Sequence, residues 1–201
     1  MLKVGILVSG RGSNMVALLE AAKKREIDAE IALVLSDNQT APALKKAQKY
    51  GVKAEYVSPE NYASREEYDL ALVEKLKAYG VELVVLAGYM RLVTPQFLAA
   101  FPNKVVNIHP ALLPAFPGLH VQAKAVEYGV KYSGCTVHFV DAGMDSGPII
   151  AQAVVPVEDD DNEDTLAERI LQEEHRLFPQ VVGLIAQGKV TIVGRKVKII
   201  S

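Results

Sequence analysis

The sequence contains no tryptophan, a single cysteine and few aromatic residues (6%). One thiol, Cys135, closes no disulfide within the chain and supplies no cysteine-based zinc site. It is compatible with a reducing compartment, and it is expected to be buried and inert. Neither sign of charge dominates: 22 basic and 24 acidic residues leave a net charge of −2. With no basic stripe, nucleic acid and anionic membrane are disfavoured as partners, and a small ligand is the better expectation. No uncharged apolar run is long enough to span a bilayer. The first residues lack the basic start, apolar stretch and small-residue cleavage site of a signal peptide, so a cytoplasmic location is expected. Repeats, linkers and low-complexity segments are also missing. What remains is a chain of 201 residues, 50% hydrophobic, with composition suited to one globular domain and a true core.

Short β-branched apolar runs alternate with amphipathic stretches. Strands are expected over Val4 to Ser9, Ala29 to Leu35, Ala54 to Val57, Leu83 to Leu86 and Val105 to His109. Helices are expected from about Asn14 to Lys24, from Pro42 to Lys49 and from a Ser64–Glu67 capping box to Gly80. This order points to a doubly wound, mostly parallel α/β sheet. After residue 110 the pattern changes. Pro114 and Pro117 mark a loop, Val121 to Tyr128 a helix, and Thr136 to Val140 with Ile149 to Val157 an antiparallel pair. A Thr165–Glu168 capping box is expected to open a long helix kinked at Pro179, followed by a hairpin turning at Gly194-Arg195. The division expected is a Rossmann-like half, residues 1–110, and a closing half, 111–201, of one domain.

Ser9-Gly10-Arg11-Gly12-Ser13-Asn14 joins the first strand to the first helix. Glycines let an anion approach the free N–H groups of a helix start, which would seat a phosphate at Gly12, Ser13 and Asn14. The dinucleotide fingerprint would need a glycine where Met15 stands, and the Walker A Gly-Lys-Ser/Thr is absent. A phosphate seat and a plain glycine turn capped by Ser13 or Asn14 both stay open from the loop alone.

Asn107 and His109 lie two residues apart at the carboxyl end of an apolar strand, so both side chains leave one face there. An amide and an imidazole can both donate to a developing oxyanion, the chemistry of an acyl-type transfer. Asp145, in the tight loop Asp141 to Pro148, could pair with His109, hold the ring and relay a proton. Of the other histidines, His138 reads as structural, His175 as packing or surface, and His120 as a first-turn residue. The acidic run Glu158 to Asp164 lacks the glycine and terminal glutamate of an EF-hand, and reads as a solvated turn before a helix. No His, Asp and Glu grouping has metal-ligand spacing, so no catalytic metal is expected.

Six segments occur in order: Ser9 to Asn14, Leu86-Ala87-Gly88-Tyr89-Met90-Arg91, Asn107 to Pro114, Phe116-Pro117-Gly118, Gly134 to Val140, and Asp145 to Ile150. Together they resemble the phosphoribosylglycinamide formyltransferases, the folate-dependent transformylases of purine synthesis, over essentially the whole chain. The resemblance implies a formyltransferase-like fold with a Rossmann-type N-terminal half. It implies formyl transfer from 10-formyltetrahydrofolate, a co-substrate, to the amine of glycinamide ribonucleotide, by a monomer or homodimer without a metal. It assigns Gly12, Ser13 and Asn14 to the phosphate and Glu174 to the ribose hydroxyls. It places the folate along Arg65, Met90, Arg91, Leu92, Val93, Asn107, Asp141, Ala142, Gly143, Met144 and Asp145. It makes His109 the catalytic acid supported by Asp145, and brings Thr136 and His138 to the site lining.

The rival readings are related formyl-folate enzymes and a non-catalytic nucleotide-binding module. Formyltetrahydrofolate deformylase and methionyl-tRNA formyltransferase resemble this domain around the Asn–His pair but normally carry a further domain. The intact Asn107, His109 and Asp145 set argues against the module.

Overall fold

The run Leu2–Val8 alternates into a strand, β1, whose last five residues are all buried. Valine, isoleucine and leucine fill it because a parallel strand flanked by helices has no wet face. The computed structural model describes residues 1–200 and separates into two compact units, Met1–Asn107 and the part from Ile108 onward.

In the first unit β1 is followed by α1 (Ser13–Lys23), β2 (Ala29–Ser36), α2 (Pro42–Lys49), β3 (Ala54–Tyr56), α3 (Arg65–Ala78), β4 (Leu83–Leu86), α4 (Pro95–Ala100) and β5 (Val105–His109), whose last two residues open the second unit. The strands run in the order β3-β2-β1-β4-β5, and every adjacent pair is parallel. Strand order reverses between β1 and β4, so the loops after these two strands flank the crevice where open α/β sheets take ligands. Gly5 sits where a Cβ would lie 2.4 Å from Leu76 Cδ2, so glycine lets α3 lie close on the sheet. Helix α4 was not anticipated. Its start carries a signal, Thr94 Oγ1 accepting from the Phe97 N–H at 3.4 Å with Pro95 in the first turn, but six residues are too short for periodicity to register. At α3 only half of the expected capping box forms. Ser64 Oγ accepts from the Glu67 N–H, whereas the Glu67 carboxylate accepts from Ala63 N–H, one residue before the cap.

The second unit holds α5 (Val121–Tyr128), β6 (Tyr132–Phe139), β7 (Ile149–Pro156), α6 (Glu163–Ala186), β8 (Val190–Val193) and β9 (Lys196–Ile199). β6 and β7 pair antiparallel, with Cys135 opposite Ala153, and β6 starts earlier than its apolar core suggested. Helix α6 opens at Glu163 rather than after Thr165. Asn162 is its cap: Oδ1 accepts from the Asp164 and Thr165 N–H groups, and the Thr165 hydroxyl accepts from Asn162 N–H. Asn162 outcompetes the expected cap because it lies before two acidic residues that favour the helix dipole. The acidic run folds onto this helix. Asp161 accepts from the Thr165 hydroxyl and from Arg169, whose guanidinium holds the Asp161 carboxyl well below the usual carboxylate range. α6 continues through Pro179 to Ala186. β8 and β9 form the expected hairpin about Gly194-Arg195. Among the described residues no helix is long and apolar enough to cross a membrane.

Candidate active site

In the first unit the glycine loop is stitched to the loop after β4. Ser9 N–H donates to Gly88 O at 3.1 Å, and Met90 N–H donates to Ser9 Oγ at 2.9 Å. Gly12 takes the N-cap position of α1 in the left-handed region, φ 68°, and no side chain caps the helix. A Cβ there would stand 2.6 Å from Ala43 Cβ, so only glycine fits both the angle and the space. Neither Ser13 nor Asn14 is the cap; both are the first helical residues, and their backbone N–H groups belong to the helix start. Lys46 Nζ donates to Arg11 O at 2.7 Å and brings a cation to the loop. These features suit an anion at the α1 N-terminus.

Met90, Arg91, Leu92 and Val93 form a stretch without regular secondary structure in which Met90 and Leu92 leave large apolar side chains exposed. The stretch is held from behind. Arg65 donates to Leu92 O at 2.8 Å, Asp69 accepts from Thr94 N–H at 2.6 Å, and the Arg91 guanidinium lies 5.3 Å from the Tyr68 ring centroid. Asn107, half-buried, follows two buried valines in β5.

His109, the last residue of β5, begins a cluster of polar groups in the second unit. Its Nδ1 lies 3.4 Å from Asp145 Oδ2, and its Nε2 donates to Phe116 O at 2.8 Å. The same carboxylate oxygen accepts from Gly118 N–H at 2.8 Å, while Asp145 Oδ1 lies 3.8 Å from His138 Nε2. One aspartate therefore faces two imidazoles and a backbone amide. His138 donates through Nδ1 to Phe139 O at 2.8 Å, and burial pushes its pKa down, favouring the neutral ring. Phe116 and Asp145 both adopt positive φ, 51° and 50°. Aspartate tolerates that region and phenylalanine does not, so surrounding contacts must hold the Phe116 backbone there.

Around this set, Asp141 Oδ1 accepts from Gly143 N–H and the Ser146 hydroxyl, closing the loop that carries Ala142, Met144 and Asp145. Thr136 is fully buried, and its hydroxyl donates to Ala111 O, accepts from Leu113 N–H and accepts from Gln152 Nε2. Its place is that of a brace for the segment after Pro110. Glu174 is buried in α6 near Cys135, whose thiol is pushed up to about 12 by burial and then by the Glu174 charge. Cys135 is thus buried and held as an unreactive thiol. Sequence reasoning missed the Phe116 carbonyl, the Gly118 amide and Gln152. The first two are backbone groups with no residue-type signal, and Gln152 shows itself only once β6 and β7 are in register. Among the described residues no group of three or more His, Cys, Asp or Glu side chains is arranged to hold a metal ion.

Residues 2–182 match the protein family described as Formyl transferase. The chain is 45% identical over 192 residues to the trifunctional purine biosynthetic protein adenosine-3 of Drosophila melanogaster, covering 94% of this chain but 14% of that protein. It is 40% identical to the phosphoribosylglycinamide formyltransferase of Bacillus subtilis (strain 168), covering 90% of this chain and 93% of that one. The crystal structure of glycinamide ribonucleotide transformylase 1 from Symbiobacterium toebii superposes with a TM-score of 0.99 at 51% identity, covering 100% of this chain and 95% of the other. A mixed α/β fold with a glycine loop at the switch point and an imidazole–carboxylate pair at a strand end thus accompanies near full-length similarity, and the chain belongs to the phosphoribosylglycinamide formyltransferase family.

Proposed function

We propose that the chain transfers a formyl group from 10-formyltetrahydrofolate to the amine of N1-(5-phospho-D-ribosyl)glycinamide, giving the N2-formyl product and tetrahydrofolate in de novo purine biosynthesis. The observation that carries this reading is the Asp145 carboxylate set against His109 Nδ1 at the end of β5. In this reading the α1 start at Gly12, Ser13 and Asn14 takes the phosphate, and Glu174 takes the ribose hydroxyls. The folate lies along Arg65, Met90, Arg91, Leu92, Val93, Asn107 and the loop Asp141, Ala142, Gly143, Met144 and Asp145. Thr136 and His138 support the site lining. The protein acts as one domain, cytoplasmic, a monomer or homodimer with two small-molecule substrates.

The chemistry follows from the groups present. The substrate amine adds to the formyl carbon, and the carbonyl oxygen becomes an oxyanion. Asn107 donates through its amide and His109 through an imidazole N–H, both stronger toward the anion than toward the ground-state carbonyl. Asp145, directly or through water, takes the proton from the attacking nitrogen and returns one to the leaving folate nitrogen as the C–N bond breaks. No covalent enzyme intermediate is required. The test is acceptor dependence. Formyl-folate should be consumed at an appreciable rate only when glycinamide ribonucleotide is added; equal consumption without it would make the protein a hydrolase and overturn the reading.

A further inference from the structure

The family match ends at residue 182, yet the hairpin formed by β8 and β9 beyond it reaches the catalytic loop. At the hairpin tip Arg195 donates from Nη1 to the carbonyl oxygen of Ser146, the residue after Asp145. We propose that Arg195 is a positioning residue that fixes the loop from Asp141 to Asp145 for folate binding, an inference that rests on the folate assignment made above. Three observations carry it. Asp145 stands at φ 50°, in the left-handed region. Ser146 is held on both sides, its hydroxyl donating to Asp141 Oδ1 at 2.6 Å and its carbonyl accepting from the guanidinium. Just past it, a Cβ at Gly147 would stand 1.7 Å from Phe139 O, so the chain lies pressed against β6 there. Holding Ser146 through both its hydroxyl and its carbonyl therefore restrains the backbone immediately after Asp145. A guanidinium suits this task, since a charge-assisted hydrogen bond is roughly twice as strong as a neutral one. The turn supports the assignment: Gly194 takes φ 60°, which leaves Arg195 free to serve as the exposed tip.

The test compares R195A and R195K with the parent protein. R195A should raise the KM for 10-formyltetrahydrofolate about tenfold, the scale of one hydrogen bond to a charged group, with the KM for glycinamide ribonucleotide within twofold and the melting temperature nearly unchanged. R195K, which keeps one charged donor, should recover most of the loss. Equal rises in both KM values, or a fall in melting temperature with both KM values unchanged, would overturn the positioning role. Hydrogen exchange over residues 141–147 reads the restraint without any substrate. Faster exchange in R195A supports the loop contact even if the parent protein proves to transfer no formyl group, and unchanged exchange refutes it.

Discussion

Asn107 and His109 separate two kinds of information in one strand. Their types and spacing are visible in the chain, because an amide and an imidazole two residues apart at the end of Val105–His109 leave one face. Asn107→Ala should lower kcat about 100–1,000-fold, as for loss of an oxyanion donor, while the KM for the ribonucleotide changes little; steady-state kinetics that show a loss under tenfold would remove that role. The partners of His109 were only half legible. Asp145 could be guessed as a carboxylate in a turn, but the Phe116 carbonyl and Gly118 amide could not, since backbone groups carry no sequence label. Thr136 shows the reverse case. The family resemblance places it at the site, and the hydrogen bonds make it a brace for Ala111 and Leu113. Thr136→Val keeps the shape and removes the hydroxyl, stranding buried partners. It should cost about 3 kcal/mol in urea unfolding, with the effect on stability larger than that on substrate affinity.

Elements bounded by strong punctuation were readable to the residue. Pro42 and Gly51 bracket α2, the apolar run of β4 ends just ahead of Gly88, and β5 ends just ahead of Pro110. Short α4 escaped notice because Thr94 and Pro95 mark a start with too few residues behind it. The start of α6 was misplaced because Asn162, Thr165 and Glu168 all look like cap residues, and the choice depends on where Asp161 and Arg169 meet. The distinction is measurable. Asn162→Ala should destabilise the protein by about 1 kcal/mol, whereas Glu168→Ala, at a position the cap does not use, should be close to neutral in the same denaturant titration.

Stability against pH is a property of the whole molecule, and His138 gives it a predictable limb. Its pKa in the folded protein lies below the ordinary value of 6.5, chiefly because burial penalises the cation. Below about pH 6.5 the unfolded chain therefore binds more protons than the folded one, and stability falls as pH falls. Above that value the group contributes no slope. Thermal melts from pH 8 to 5 should show this decline, and His138→Gln, with no proton to bind, should flatten part of it; parallel curves would exclude His138 as the source. The Phe116 contact has a different kind of consequence. With Nδ1 facing Asp145, the only other ring N–H that His109 can offer an oxyanion is the one now held by Phe116 O. Under the proposed mechanism the carbonyl and the oxyanion would compete for that one N–H, so His109 could serve as donor only once the Phe116 carbonyl is displaced. Apparent substrate affinity under that mechanism would be the intrinsic affinity scaled by the fraction of molecules in which the Phe116 carbonyl has released that N–H.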